Sequence, residues 1–155
     1  MMFTTIEVSD SDLLLVAAKS AGKGLELVHT EKLSIKNQDR IEAFSRLSTT
    51  YKHGTVIVPR AMALFREFQI PSGTFEEIVP MIHFQMEREF PLPLDQIRSS
   101  FTWGSEKEGK ITVQVAAVPN DVLDPILADA EKAGFTVDAV TVSTFGLAKL
   151  VSDET

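Results

Sequence analysis

Residues 13–35 read LLLVAAKSAGKGLELVHTEKLSI, and the two halves of this stretch decide how the chain begins to fold. Leu13 to Lys19 is an apolar run of strand length. Ser20-Ala21-Gly22-Lys23-Gly24 interrupts it with glycines, which adopt positive φ at little steric cost and so favour a turn. Beyond the turn Leu25, Leu27, His29, Glu31, Leu33 and Ile35 alternate with Glu26, Val28, Thr30, Lys32 and Ser34. A period of two predicts a strand with one apolar face, broken only at Glu31. Thr4 to Val8 is apolar at alternate positions and adds a strand ahead of this hairpin.

Helical spacing takes over next. Asn37 is placed to cap a helix over about 38–51, because its side-chain oxygen can accept a free backbone N–H of the first turn. Ile41, Phe44 and Leu47 would form the buried stripe, and Gly54 is expected to end the helix. Thr55-Val56-Ile57-Val58 then reads as a buried strand closed by Pro59, and a further strand is expected over about 62–70, bounded by Pro71. Thr74-Phe75-Glu76-Glu77 has the pattern of a capping box, followed by Phe75, Ile78, Val79, Ile82, Met86 and Phe90 along one face. Pro80 lies inside that pattern, so a kink or a late helix start is expected, and Phe90-Pro91-Leu92-Pro93 stops the helix. Ile97 to Trp103 and Ile111 to Val118 read as a hairpin. A helix over about 120–133 buries Leu123, Ile126, Leu127 and Ala130 and ends at Gly134. A strand from Val137 to Val142 and a last helix from Thr144 to Val151 complete an α/β (α+β) chain.

Composition narrows the function. Fifteen Lys and Arg against twenty-two Asp and Glu give a net charge of −7, which argues against nucleic acid and anionic lipid as partners. No run of Lys or Arg exceeds two residues. The longest apolar run, Leu13 to Ala18, is far short of the roughly 20 residues that span a bilayer. The start, Met1-Met2-Phe3-Thr4-Thr5-Ile6-Glu7, lacks the basic and apolar regions of a secretory signal. Without cysteine there is no disulfide framework and no thiolate zinc site, and a reducing, cytoplasmic setting is expected.

From Val56 to Leu150 several segments fall in a recognisable order. They are Val56-Ile57-Val58-Pro59; Arg66-Glu67-Phe68-Gln69-Ile70-Pro71; and Phe84-Gln85-Met86-Glu87-Arg88-Glu89 running into Phe90-Pro91-Leu92-Pro93-Leu94-Asp95. Val115-Ala116-Ala117-Val118-Pro119, Lys132-Ala133-Gly134-Phe135 and Val140-Thr141-Val142-Ser143-Thr144-Phe145-Gly146-Leu147-Ala148 follow. In this order they resemble the PilM-like proteins of type IV pilus assembly, actin-like relatives of FtsA and of the cytoplasmic domain of the secretion protein GspL. The resemblance implies an RNase H-like, actin-type lobe over 1–59 plus 139–155, with a strand-helix-strand-strand subdomain and a further helix inserted over 60–138.

It also implies a departure. ATP-binding members of that family carry Asp-x-Gly at the end of the first strand, the glycine admitting phosphate close to the backbone. Glu7-Val8-Ser9 stands in that register here, and the chain stops at Thr155, before the family's second phosphate loop. No catalysis and no cofactor are therefore expected, and an actin-like ATPase is the least favoured reading. In PilM-like proteins the cytoplasmic tail of the single-span membrane protein PilN docks in a groove. A PilN-like inner-membrane protein and other pilus or secretion components are thus the expected partners, with membrane contact only through them and self-association as a further option. Phe90, Pro91, Leu92 and Pro93 are the candidate groove residues, against the simpler reading of a helix stop whose Phe90 and Leu92 belong to the core.

Other chemistry is thinly supported. His83 and Glu87 share a helix face, but two ligands do not make a metal site. Glu87 and Glu89 point in different directions on a helix, no Gly-x-Ser-x-Gly elbow occurs, and Gly22 and Gly24 precede a strand rather than a phosphate-binding helix. The alternative to a scaffold is a small-molecule sensor. Strand-helix-strand-strand units also occur in ligand-binding domains related to GyrI, whose sheet forms a cleft. A sheet face fully plugged by Phe101, Trp103, Ile111 and Val113, with no cavity, would dispose of that reading.

Overall fold

The structure, a computed structural model, describes residues 1–36 and 39–143. The expected helix over 144–151, and Asn37, the expected cap of the helix over about 38–51, lie outside the described residues. The elements run β1 (Met2–Val8), β2 (Asp12–Ala21), β3 (Gly24–Ser34), α1 (Arg40–Ser48), β4 (His53–Val58), β5 (Leu64–Pro71), α2 (Phe75–Glu89), β6 (Ile97–Trp103), β7 (Lys110–Pro119), α3 (Asn120–Lys132) and β8 (Thr136–Val142). They divide into two units, Met1–Ala61 with Asp124–Thr155, and Met62–Leu123.

The first unit is built on a five-stranded sheet of order β3-β2-β1-β4-β8. β1, β2 and β3 pair antiparallel, whereas β4 lies parallel to β1 and β8 parallel to β4. A parallel neighbour cannot be reached by a hairpin and needs a crossover, commonly a helix. α1 carries the chain from β3 to β4, and α3 carries it into β8. Alternate residues Ile6, Val8, Leu13, Leu15 and Ala17 are removed from water against Phe44 and Leu47 of α1 and Ile126 and Ala130 of α3. This is why Asp124 onward groups with the first unit, although residues 60–138 were expected to form the insertion. The strand that leads into α3 belongs to the insertion, but the apolar residues Ile126 and Ala130 of the helix belong to the other core.

β3 departs from expectation in a way that matters for its surface. Its register with β2 shifts between Ala17/Ala18, so that Ala17 pairs His29 and Ala18 pairs Leu27, leaving Val28 as the extra residue of a bulge. An inserted residue turns everything beyond it to the opposite face. Leu33 is buried on the core side, but Leu25 and Leu27 are 66% and 61% exposed on the other. The single apolar face read from alternation is thus two half-faces. α1 is also shorter than expected. Asp39 caps it, its Oδ1 accepting from the Ile41 N–H at 3.0 Å, and Tyr51 N–H returns to the Leu47 carbonyl as the chain leaves the helix. Gly54 therefore sits within β4 and does not end a helix.

In the second unit β5, β7 and β6 form an antiparallel sheet, in that spatial order, and α2 lies on one face. Ile78, Ile82 and Met86 of α2 pack on Ile70, Ile111, Val113 and Val115. Glu77 caps the start of α2, its carboxylate accepting from the Thr74 N–H at 2.9 Å, and the helix begins at Phe75 without the delay expected from Pro80. Pro80 is exposed and has no N–H to offer the Glu76 carbonyl one turn back. Pro80→Ala restores that hydrogen bond and relieves the ring clash, while freeing the unfolded chain by about 1 kcal/mol. A net stabilisation of about 2 kcal/mol is expected in urea unfolding followed by Trp103 fluorescence, and an unchanged midpoint would contradict it.

Candidate functional site

The first candidate site is the end of β1. Val8 is fully buried in the core and Glu7, half-buried, pairs with Leu14 of β2. Ser9 closes the turn into β2 on itself. Its Oγ accepts from the Asp12 N–H at 3.0 Å and the Ser11 N–H at 3.3 Å, and its own N–H donates to the Asp12 carbonyl at 2.9 Å. Backbone N–H groups at such a turn are the donors with which a glycine loop would hold phosphate. Here the Ser9 hydroxyl has taken two of them. The neighbouring Asp12 carboxylate accepts from the Ser11 hydroxyl at 2.6 Å, which holds its pKa below the usual aspartate value, with Lys32 at 3.6 Å adding to the effect.

The second site is the end of α2. The Phe90 N–H bonds the Met86 carbonyl at 3.0 Å, after which Pro91 and Pro93 prevent the helix from continuing. Phe90 itself is buried in the core of the second unit, and the Arg66 guanidinium sits over its ring at 5.6 Å. Arg66 is fixed by donating from Nε to the Glu89 carbonyl at 3.0 Å and from Nη1 to the Phe65 carbonyl at 2.8 Å. The chain then makes one 3-10 turn over Leu94–Gln96, with the Gln96 N–H returning to the Pro93 carbonyl. Phe90, Pro91, Leu92 and Pro93 surround one open depression of about 490 Å³, completed by Glu87, Leu94 and Asp95. Among the described residues its only charged lining ones, Glu87 and Asp95, are both acidic. Pro91 and Pro93 are exposed and Leu92 and Leu94 half-buried. The structure thus brings all four sequence candidates together, Phe90 mainly as the core residue that anchors the others. The acidic rim was not legible in advance, since Glu87 and Asp95 are brought together only by the turn between them.

The remaining candidates find structural places. The His83 ring packs edge-on against Phe101 at 6.2 Å, on the flank of α2, and continues a row through Trp103 to Phe75. Ile111 and Val113 are buried beneath α2, and Phe101 and Trp103 pack against the same core. The sheet face that a sensor would use as its cleft is filled by the helix. No group of three or more His, Cys, Asp or Glu able to hold a metal occurs among the described residues.

No protein-family model matches the sequence, and no curated protein matches it. Solved structures do match in fold. The cytoplasmic domain of EpsL, an inner membrane component of the type II secretion system of Vibrio cholerae, aligns over 92% of this chain and 57% of its own, with a TM-score of 0.67 and 17% identity. A structure of the PilM-PilN type IV pilus biogenesis complex aligns over 96% of this chain and 49% of that one, with a TM-score of 0.74 and 20% identity. The chain spans about half the length of these two structures. It therefore shares the fold of these two structures, the relatives that the ordered segments from Val56 onward implied.

Proposed function

We propose that this chain acts as a non-catalytic scaffold in a type IV pilus or type II secretion-like assembly, and that it holds the cytoplasmic tail of a single-span inner-membrane protein at the end of α2. The observation that carries this reading is the depression around Phe90–Pro93, lined by these apolar residues together with the carboxylates of Glu87 and Asp95. Cytoplasmic segments next to a membrane span are enriched in Lys and Arg, so a basic tail with apolar residues complements it in both respects. Likeness in fold to the PilM of a PilM-PilN complex makes a PilN-like protein the first partner to try. The chain would then be a cytoplasmic protein that reaches the membrane through its partner. None of its described helices is long and apolar enough to cross one. A scaffold rather than an ATPase is supported by the Ser9 hydroxyl, which occupies the N–H groups of Ser11 and Asp12.

The test is calorimetric titration with a synthetic peptide of the cytoplasmic tail of the single-span membrane protein encoded beside this chain. Micromolar binding is expected. Reversing both rim charges, Glu87→Lys with Asp95→Lys, is expected to weaken it by about tenfold or more, about 1.4 kcal/mol. Both residues are exposed, so far-UV circular dichroism should stay unchanged. No detectable heat at about 1 mM peptide would sink the proposal.

A further inference from the structure

β8 is an outer strand of its sheet. One side pairs with β4, and no described residue pairs with the other. An unpaired edge presents a row of backbone donors and acceptors, which proteins usually blunt with Lys, Pro or a bulge. Thr136–Val142 contains neither Lys nor Pro. Its one irregularity falls at Asp138, and Ala139 to Val142 keep regular register with Thr55 to Val58. Beside this edge runs an open groove of about 610 Å³, lined by the consecutive residues 134–140 and walled by Leu127 and Glu131 of α3. Val140 is 38% exposed into it, and Leu127 and Val137 are half-buried. Such a groove offers backbone partners on one side and apolar slots on the other, and the strand is long enough to pair an added segment over roughly 20 Å.

Charge selects the occupant. Among the described residues, the only charged ones lining the groove are Glu131 and Asp138. Asp138 Oδ2 lies 2.6 Å from His53 Nδ1, and Glu131 is exposed with no ion pair among the described residues. A second copy docked edge to edge would bring these acids towards their own counterparts, and like charges across a strand pair are destabilising. We propose that the β8 edge is a strand-addition site for an extended segment of another protein that carries Lys or Arg between β-branched residues. In this mode main-chain hydrogen bonds supply affinity and alternate side chains supply specificity. The site belongs to the first unit and the α2-end depression to the second, so either can fail without the other.

The probe is a pair of capped hexapeptides, Thr-Lys-Val-Lys-Val-Thr and Thr-Glu-Val-Glu-Val-Thr, titrated into the ¹⁵N-labelled chain. The lysine peptide is expected to shift and protect the amides of residues 136–142, and the glutamate peptide to bind at least about tenfold more weakly. Glu131→Lys, an exposed change near a helix C-terminus that leaves the fold intact, cancels the charge of Asp138 and is expected to abolish that preference. Three results would each overturn the proposal. They are no binding of the lysine peptide at about 1 mM, shifts confined to other residues, and a peptide-independent dimer in sedimentation that already protects the β8 amides.

Discussion

Gly54→Ala is expected to destabilise the first unit by about 3 kcal/mol, a drop of roughly 15 °C in its melting transition. Gly54 is buried in β4, next to β1, and a β-carbon added there would fall inside the contact distance of the Thr4 carbonyl oxygen. It would also come within 3.0 Å of the Thr4 carbonyl carbon and of Thr4 Cβ. Two of these three atoms are backbone, in a strand held by β2 on its other side, so no rotamer change relieves the clash. Separating β1 from β4 would disturb the register Thr5↔Thr55, Ile6↔Val56 and Glu7↔Ile57, on which the core residues Ile6 and Val56 depend. Gly24→Ala is the control. A β-carbon there meets nothing within 4 Å, and a change within about 0.5 kcal/mol is expected. If thermal unfolding by circular dichroism gave the two variants the same midpoint, the packing of β1 on β4 described above would be wrong.

Much of this fold was legible because periodicity and punctuation are local. The alternation in 4–8, the capping box at Thr74 and Glu77 and the paired prolines at 91 and 93 each dictate structure within a few residues. What escaped depended on distant partners. Whether Leu25 and Leu27 face the core is decided by a bulge opposite Ala17 and Ala18, and nothing in the alternation of β3 encodes it. Asn37 and Asp39 are equally good caps by residue type, and the position of the first helical turn chose Asp39. The apolar stripe of α3 announces a buried face but not which core receives it. Only the parallel pairing of β8 with β4 assigns it to the first unit.

The candidate sites divide in the same way. The Phe90–Pro93 turn stood out in the sequence because two prolines after a helix are conspicuous. Its acidic rim did not, since Glu87 and Asp95 are neighbours only after the turn has formed. Ser9 was visible as the wrong residue for a phosphate loop. That its hydroxyl would accept from the Ser11 and Asp12 N–H groups required the turn geometry. The β8 groove had no sequence signal, because being an edge strand is a property of the sheet and not of the segment Thr136–Val142.

Phe44→Ala is expected to cost about 4 kcal/mol, a large part of the 5–15 kcal/mol by which domains are usually stable. Phe44 has no exposed surface and lies at the centre of the first core, its ring centroid 6.1 Å from that of Phe135. It joins α1 to the segment that follows α3, so truncation opens a cavity between elements that meet only through side chains. The surrounding Ile6, Leu15 and Val56 sit on paired strands and cannot collapse far into the space. Phe44→Leu keeps most of the volume and should cost less than half as much. Phe84→Ala removes the same ring from a site where it is 58% exposed, and a loss below about 1 kcal/mol is expected. The readout must be far-UV circular dichroism in urea, because Trp103, the only tryptophan of the sequence, lies in the second unit. Equal losses for Phe44→Ala and Phe84→Ala would show that α1 is not seated on the sheet as described.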